Sequence, residues 1–265
     1  MKNILITGST RGIGFGLAQA FLERGCAVTV SGREQAGVEQ ALENLGRLHE
    51  AERIYGQACD VREPGQVQAL WDGAHRHFGQ VDIWINNAGL SGPQAKAWLI
   101  SPEQASQVVE TNLLGAIHGS RVAVAGMLAQ GFGSIYNMEG MGSDGRMHDG
   151  LTLYGTTKYA LRYFTDSLVK ETAGTGLVIG ALRPGMVVTD LITRQYEHRP
   201  QDWERARRIF NLIAERVEVV TPWLADQILA NQQHGARLRY MTTARMLKRM
   251  LVLPFRKRDV FSQKS

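Results

Sequence analysis

The chain has 265 residues, 44% hydrophobic and 21% charged, enough to build its own core as one globular domain. Its seven prolines and 29 glycines form no tract or repeat, which excludes collagen-like, low-complexity and solenoid chains. No apolar run approaches the roughly 18 residues of a spanning helix, and Met1-Lys2-Asn3 leads straight into a strand-like segment, so the chain reads as soluble and cytoplasmic. The net charge of +5 is uneven: from Arg237 to Ser265 nine Lys or Arg face one Asp, about +8, leaving about −3 for the rest. Cys26 and Cys59 lie in apolar surroundings without a CxxC or Cys/His cluster, so buried reduced thiols and no metal site are expected.

In chain order, strands are predicted at Asn3–Thr7, Ala27–Ser31, Arg53–Ala58, Val81–Ile85, Gly133–Met138, Leu177–Leu182 and Arg237–Met241. Helices are predicted near Ile13–Arg24, Gln35–Leu45, Pro64–Phe78, Pro102–Gln130 and Thr152–Thr172. Short apolar runs alternating with amphipathic stretches give an α/β class. The expectation is a single doubly wound Rossmann domain over 1–265, a seven-stranded parallel sheet with helices on both faces. After Pro184 the regularity ends; Thr189–Thr221 has helical pieces and no predicted strand, and reads either as a substrate lid or as a surface helical hairpin. Residues 242–265 form a basic C-terminal extension.

The first strand runs into Thr7-Gly8-Ser9-Thr10-Arg11-Gly12-Ile13-Gly14. Glycines at this spacing in a strand-to-helix turn let the backbone approach a pyrophosphate held by the helix N-terminus. At the end of the second strand, where an NAD site presents an acidic group to the ribose, the chain reads Ser31-Gly32-Arg33. Arg33 together with Arg11 favours the phosphorylated cofactor NADP(H). Asp60-Val61 follows the third strand, where a carboxylate can accept from the adenine amino group; the alternative for Asp60 is a helix N-cap. Asn86-Asn87-Ala88-Gly89 follows the fourth, where small residues leave room beside a cofactor and amides tie strand ends together.

Tyr154 and Lys158 stand four residues apart, on one face of the helix that Tyr154-Gly155-Thr156-Thr157-Lys158 opens. A free tyrosine titrates near ~10, and an adjacent ammonium stabilises its phenolate, so the pair can do acid/base work at a carbonyl. Lysine there can also hold ribose hydroxyls. In isolation such a pair is also what a snorkelling surface lysine looks like.

The glycine loop, Asn86-Asn87-Ala88-Gly89, Asn112, Tyr154/Lys158 and Pro184-Gly185-Met186-Val187-Val188-Thr189 occur in order over about residues 2–190, and together they resemble the short-chain dehydrogenase/reductases. The resemblance implies that Tyr154 donates a proton to a substrate carbonyl, that Lys158 tunes it and binds ribose, and that Asn112 anchors a water in the proton relay. It also implies that Gly8, Thr10, Gly12, Ile13, Gly14, Val61, Asn87, Ala88, Gly89, Pro184, Gly185, Val187 and Thr189 surround the cofactor, with Val187 and Thr189 on the carboxamide. The family's serine is displaced: its slot holds Gly140, and the nearest hydroxyl is Ser143, 11 residues before Tyr154. Ser143 is either the group that polarises the carbonyl oxygen or an ordinary turn serine.

The run from Asn137 through Glu139 to Gly145, the segments around Tyr154 and Pro184, and Leu212-Ile213-Ala214-Glu215-Arg216-Val217-Glu218-Val219-Val220 resemble chlorophyll(ide) b reductases of the NYC1/NOL type. That resemblance implies NADPH-dependent reduction of the C7 formyl group of chlorophyll(ide) b to hydroxymethyl. The alternatives are another hydrophobic aldehyde, ketone or alcohol, and, in a different class, a non-catalytic NADP(H)-binding sensor or scaffold. Met186, Tyr196, Trp203, Phe210, Leu212 and Ile213 either supply an apolar substrate wall or pack onto the helices beneath. The family implies a homo-oligomer, dimer or tetramer, through Pro102–Gln130 and Thr152–Thr172. Basic residues near the C-terminus are interleaved with Met246, Leu247, Met250 and Leu251, so no nucleic acid is expected; the segment is either a peripheral membrane-docking surface or solvated charge.

Overall fold

The computed structural model describes residues 1–193, 200–252 and 258–261. Seven strands form one sheet: β1 (Asn3–Ile6), β2 (Ala27–Gly32), β3 (Ile54–Ala58), β4 (Ile83–Asn86), β5 (Ser134–Met138), β6 (Val178–Arg183) and, at the far edge, β9 (Arg237–Arg239). The spatial order is β3-β2-β1-β4-β5-β6-β9 and every neighbouring pair is parallel. The chain order therefore reverses between β1 and β4, opening a crevice at the carboxyl ends of those strands where a doubly wound sheet takes its ligand.

Residues of β1, β2 and β4 are buried throughout, as expected of strands covered on both faces. One core lies under α1 (Gly12–Leu22), α2 (Gln35–Gly46) and α9 (Val217–Ala230), and contains Leu17, Phe21, Leu45, Val28, Ile85 and Leu224. The other lies under α3 (Pro64–Phe78), α5 (Gly115–Gln130) and α6 (Thr152–Glu171), around Leu70, Trp71, Trp84, Met127 and Leu168. Cys26 and Cys59 are buried free thiols, and burial pushes Cys59 up to about 12.

Two elements depart from the expected pattern. The single helix expected over Pro102–Gln130 is α4 (Pro102–Val109), a π turn over Glu110–Leu114, and then α5. The π turn carries Asn112, buried at 1% exposure. The stretch 189–221, expected to hold no strand, contains one: β8 (Glu215–Arg216) pairs in parallel with β7 (Val187–Val188), a two-residue pairing too short to leave a sequence pattern. Around it lie α7 (Asp190–Thr193), α8 (Pro200–Ile213) and, after β9, α10 (Thr243–Val252).

Candidate active site

The crevice is built first from strand ends. The turn after β1 holds Gly8 and Gly12 at φ of +63° and +58°, backbone that side chains rarely adopt. A methyl on Gly8 would lie 2.8 Å from Ala88 Cα, and one on Gly14 would lie 2.5 Å from Asn87 Nδ2. Asn87 fixes this approach: its amide donates to Thr7 O and Gly8 O, both at 2.9 Å, while Thr7 Oγ1 accepts from the backbone of Asn87 and Ala88. Asn86 bonds Ser120 and Asn137, whose own amide reaches Thr165 on α6, so β4, β5 and two helices are tied by side-chain amides.

The residues present fit a dinucleotide. The first turn of α1 has no acidic residue, and Arg11 at its N-cap makes no side-chain cap, leaving the helix N-terminus facing the crevice as an anion site. Thr10 lies over the end of β2, 2.6 Å from where a methyl on Gly32 would be, beside the exposed Arg33. Arg33 pairs with Glu34 at 2.9 Å, and both side chains are largely exposed, so the pair holds the guanidinium only weakly. Asp60 is committed elsewhere: Arg62 donates to both its carboxylate oxygens, and these bonds hold its carboxyl below the usual range. It does not cap α3, whose N-cap is Glu63. Val61 is buried near α5. On the opposite wall Gly185 turns the chain at φ +80°, Pro184 and Val187 are buried, and Thr189 comes within 3.4 Å of a methyl placed on Gly12. Ile13, at the start of α1, packs against the core on that face.

The chemistry lies beside this cradle. Lys158 is buried, its Nζ donates to Met138 O at 2.8 Å, and it lies 3.8 Å from a methyl placed on Gly89. Asn112 sits against the same glycine; its amide donates to Leu90 O and Thr157 Oγ1, and its Oδ1 accepts from Leu90 N at 2.7 Å. Lys158 Nζ is 5.8 Å from the Tyr154 ring centre. The Tyr154 hydroxyl occupies space over Gly140, 2.2 Å from where a methyl on that glycine would be. Burial pushes the Tyr154 phenol up to about 12 and Lys158 down to about 8, where the Glu139 carboxylate opposes the drop. The expected lowering of the tyrosine by its lysine is not what this environment does: desolvation dominates.

Ser143 is fully enclosed, and its hydroxyl donates to Glu139 Oε2 at 3.3 Å. Of the two readings open for the aromatics of 189–221, the structure shows packing for two: Trp203 and Phe210 form a small core with Phe261, Met186, Val188 and Ala206. Leu212 stays 37% exposed, and Tyr196 lies outside the described residues. Sequence reasoning missed the exposed Trp98, Leu99 and Met147, on the loops leaving Gly89 and Gly140. It also gave no role to Glu139, Arg183 and Arg237, whose joint burial at strand ends no local pattern announces.

The family model described as short chain dehydrogenase matches residues 2–200. The chain is 34% identical over 264 residues to the probable chlorophyll(ide) b reductase NYC1 of Oryza sativa, covering 93% of this chain and 51% of that protein. It is 38% identical to the chlorophyll(ide) b reductase NOL of Arabidopsis thaliana over 88% of this chain and 67% of that one. It thus spans about half to two thirds of these plant proteins. Among solved structures, an actinorhodin polyketide ketoreductase with NADPH superposes with a TM-score of 0.80 at 29% identity, covering 90% of this chain and 95% of that one. A Brucella melitensis 3-ketoacyl-(acyl-carrier-protein) reductase complexed with NADH gives 0.80 at 26%, over 92% and 98%. Sheet order, glycine turn and buried lysine agree with these likenesses, and the chain belongs to the short-chain dehydrogenase/reductase family of oxidoreductases.

Proposed function

We propose that the protein is an NADPH-dependent carbonyl reductase and that its substrate is a large hydrophobic aldehyde of the chlorophyll(ide) b type, reduced at its formyl group. The observation that carries the reaction class is the buried Lys158 amine beside the Tyr154 phenol at the edge of the glycine cradle. When bound, NADPH supplies the hydride. Arg11 and Arg33 would hold its 2′-phosphate, the N-terminus of α1 its pyrophosphate, and Lys158 its ribose. Tyr154 donates its O–H to the carbonyl oxygen and releases the proton as charge develops there; a phenol held near 12 remains protonated at neutral pH, the form a reduction requires. The Lys158 cation then faces the nascent phenolate.

A large apolar substrate is supported by the likeness to NYC1 and NOL, which runs through the lid. It is also supported by the rim: Trp98 is 79%, Leu99 69% and Met147 97% exposed, on two loops drawn together by the Lys96–Asp149 ion pair at 2.6 Å. The test is NADPH oxidation, followed at its near-ultraviolet band, with chlorophyllide b and with smaller aldehydes. Tyr154→Phe should lower turnover by about 10²–10⁴-fold while NADPH still binds. Full activity in that variant, or NADPH binding without oxidation by any carbonyl in the unmodified protein, would overturn the reading and favour a nucleotide-binding module.

A further inference from the structure

Both candidate catalytic side chains rest on the same three residues at the end of β5. Met138 O accepts from Lys158 Nζ, and Gly140 lies beneath the Tyr154 hydroxyl. Between them stands Glu139, whose side chain is completely buried. Its Oε1 accepts from Arg237 Nε of β9 at 2.8 Å, its Oε2 lies 3.4 Å from Arg183 Nε of β6, and the Ser143 hydroxyl of the following loop donates to Oε2. The two arginines continue outward, Arg183 to Asp144 at 3.1 Å and Arg237 to Asp166 at 2.5 Å, while Arg162 of α6 donates to Ser143 O. A carboxylate placed out of water among paired arginines is costly unless its geometry is well satisfied, and here it is.

We propose that Glu139 is a positioning residue for the Tyr154/Lys158 pair, its clamped carboxylate fixing the Met138–Gly140 backbone on which both side chains rest and balancing the buried Lys158 cation. The inference rests on the reading of Tyr154 and Lys158 as catalytic. Glu139, Asp144 and Asp166 pair with Arg146, Arg162, Arg183 and Arg237, and of these carboxylates Glu139 is the one adjoining Met138, whose carbonyl holds Lys158. Burial lowers Lys158 to about 8 and the Glu139 charge works against that fall. Removing the charge moves the lysine further down, so its cation is lost at a lower pH. Ser143, on this account, steadies Glu139 and does not touch substrate.

The test is the pH dependence of NADPH affinity, read by the cofactor's fluorescence, together with turnover. In the unmodified protein affinity should weaken as pH rises through about 8, where Lys158 loses its proton. Glu139→Gln should move that alkaline limb down by about one pH unit, giving about tenfold weaker binding near pH 8, and Glu139→Asp, which keeps the charge, should restore most of it. An unshifted limb in Glu139→Gln overturns the proposal. Should that variant not accumulate folded, Ser143→Ala decides: a kcat loss of less than about tenfold with an unshifted limb supports the positioning role, and a loss of about 10²–10³-fold in kcat places Ser143 on the carbonyl oxygen and overturns it. Tyr154→Phe separates the two readings. If it stays active the catalytic assignment fails first; if it is inactive while Glu139→Gln matches the unmodified protein, only the role of Glu139 fails.

Discussion

Gly140 and Tyr154 compete for one volume. A methyl at position 140 would meet the tyrosine oxygen at 2.2 Å, its ring carbon Cζ at 3.0 Å and Lys158 Cε at 3.3 Å. The phenol therefore fills the space that a side chain at this slot would need, and a serine there would displace the proposed acid rather than assist it. Gly140→Ala and Gly140→Ser should each lower kcat by about 10²-fold or more, since displacement of an acid by about 1 Å has that effect. Affinity for NADPH, measured by fluorescence, should change little, and a variant with higher kcat would refute the steric account. The sequence shows a glycine where a hydroxyl is usual and suggests Ser143 as its replacement. It does not show that Tyr154 reaches over the glycine, because four-residue spacing gives the face of a helix and not the depth to which a side chain extends.

At the scale of elements, the site depends on how strand ends are tied, and here the sequence was informative. The glycine turn, the two asparagines at the end of β4 and the Tyr/Lys helix all stand where their spacing put them, since each is a local pattern anchored to a strand. What remained illegible leaves no periodic pattern: the π turn that carries Asn112 and the Asp60–Arg62 pair are single local events, and the β7–β8 pairing joins two residues to two others far along the chain. Asn87 illustrates the legible class. It touches the backbone of the glycine turn at Thr7 and Gly8 through its amide. Asn87→Ala should leave those two carbonyls without these donors, lowering stability by about 1–3 kcal/mol, seen as a lower Tm. NADPH affinity should fall as well, because the turn that approaches the pyrophosphate is no longer held. A variant with lower Tm and unchanged affinity would limit Asn87 to a packing role.

At the scale of the whole molecule, the basic C-terminal excess acquires internal partners. Of the nine cations from Arg237 onward, Arg237 joins the Glu139 cluster, Arg245 stacks on Trp223 and Tyr240, and Arg249 and Arg258 both converge on Glu215 of β8. The segment then closes on α8: Asp259 pairs with Arg207 at 2.6 Å, Val260 N donates to Asn211, and Phe261 packs against Trp203 at 4.8 Å between ring centres. Two of those nine cations, Arg249 and Arg258, therefore hold β8 and the end of α8, while Leu247, Met250 and Leu251 are exposed on α10. Burial of Val260 and Phe261 alone contributes about 2–4 kcal/mol to that attachment. Deleting residues 258–265 should accordingly expose the lid to proteolysis and raise KM for a large aldehyde several-fold, while NADPH affinity, set on the other side of the crevice, stays within about twofold. A solvated tail predicts the opposite pattern, with proteolysis and KM unchanged and only adsorption to anionic liposomes reduced, so measuring both in the same truncated protein decides between a clamp and a free charged end.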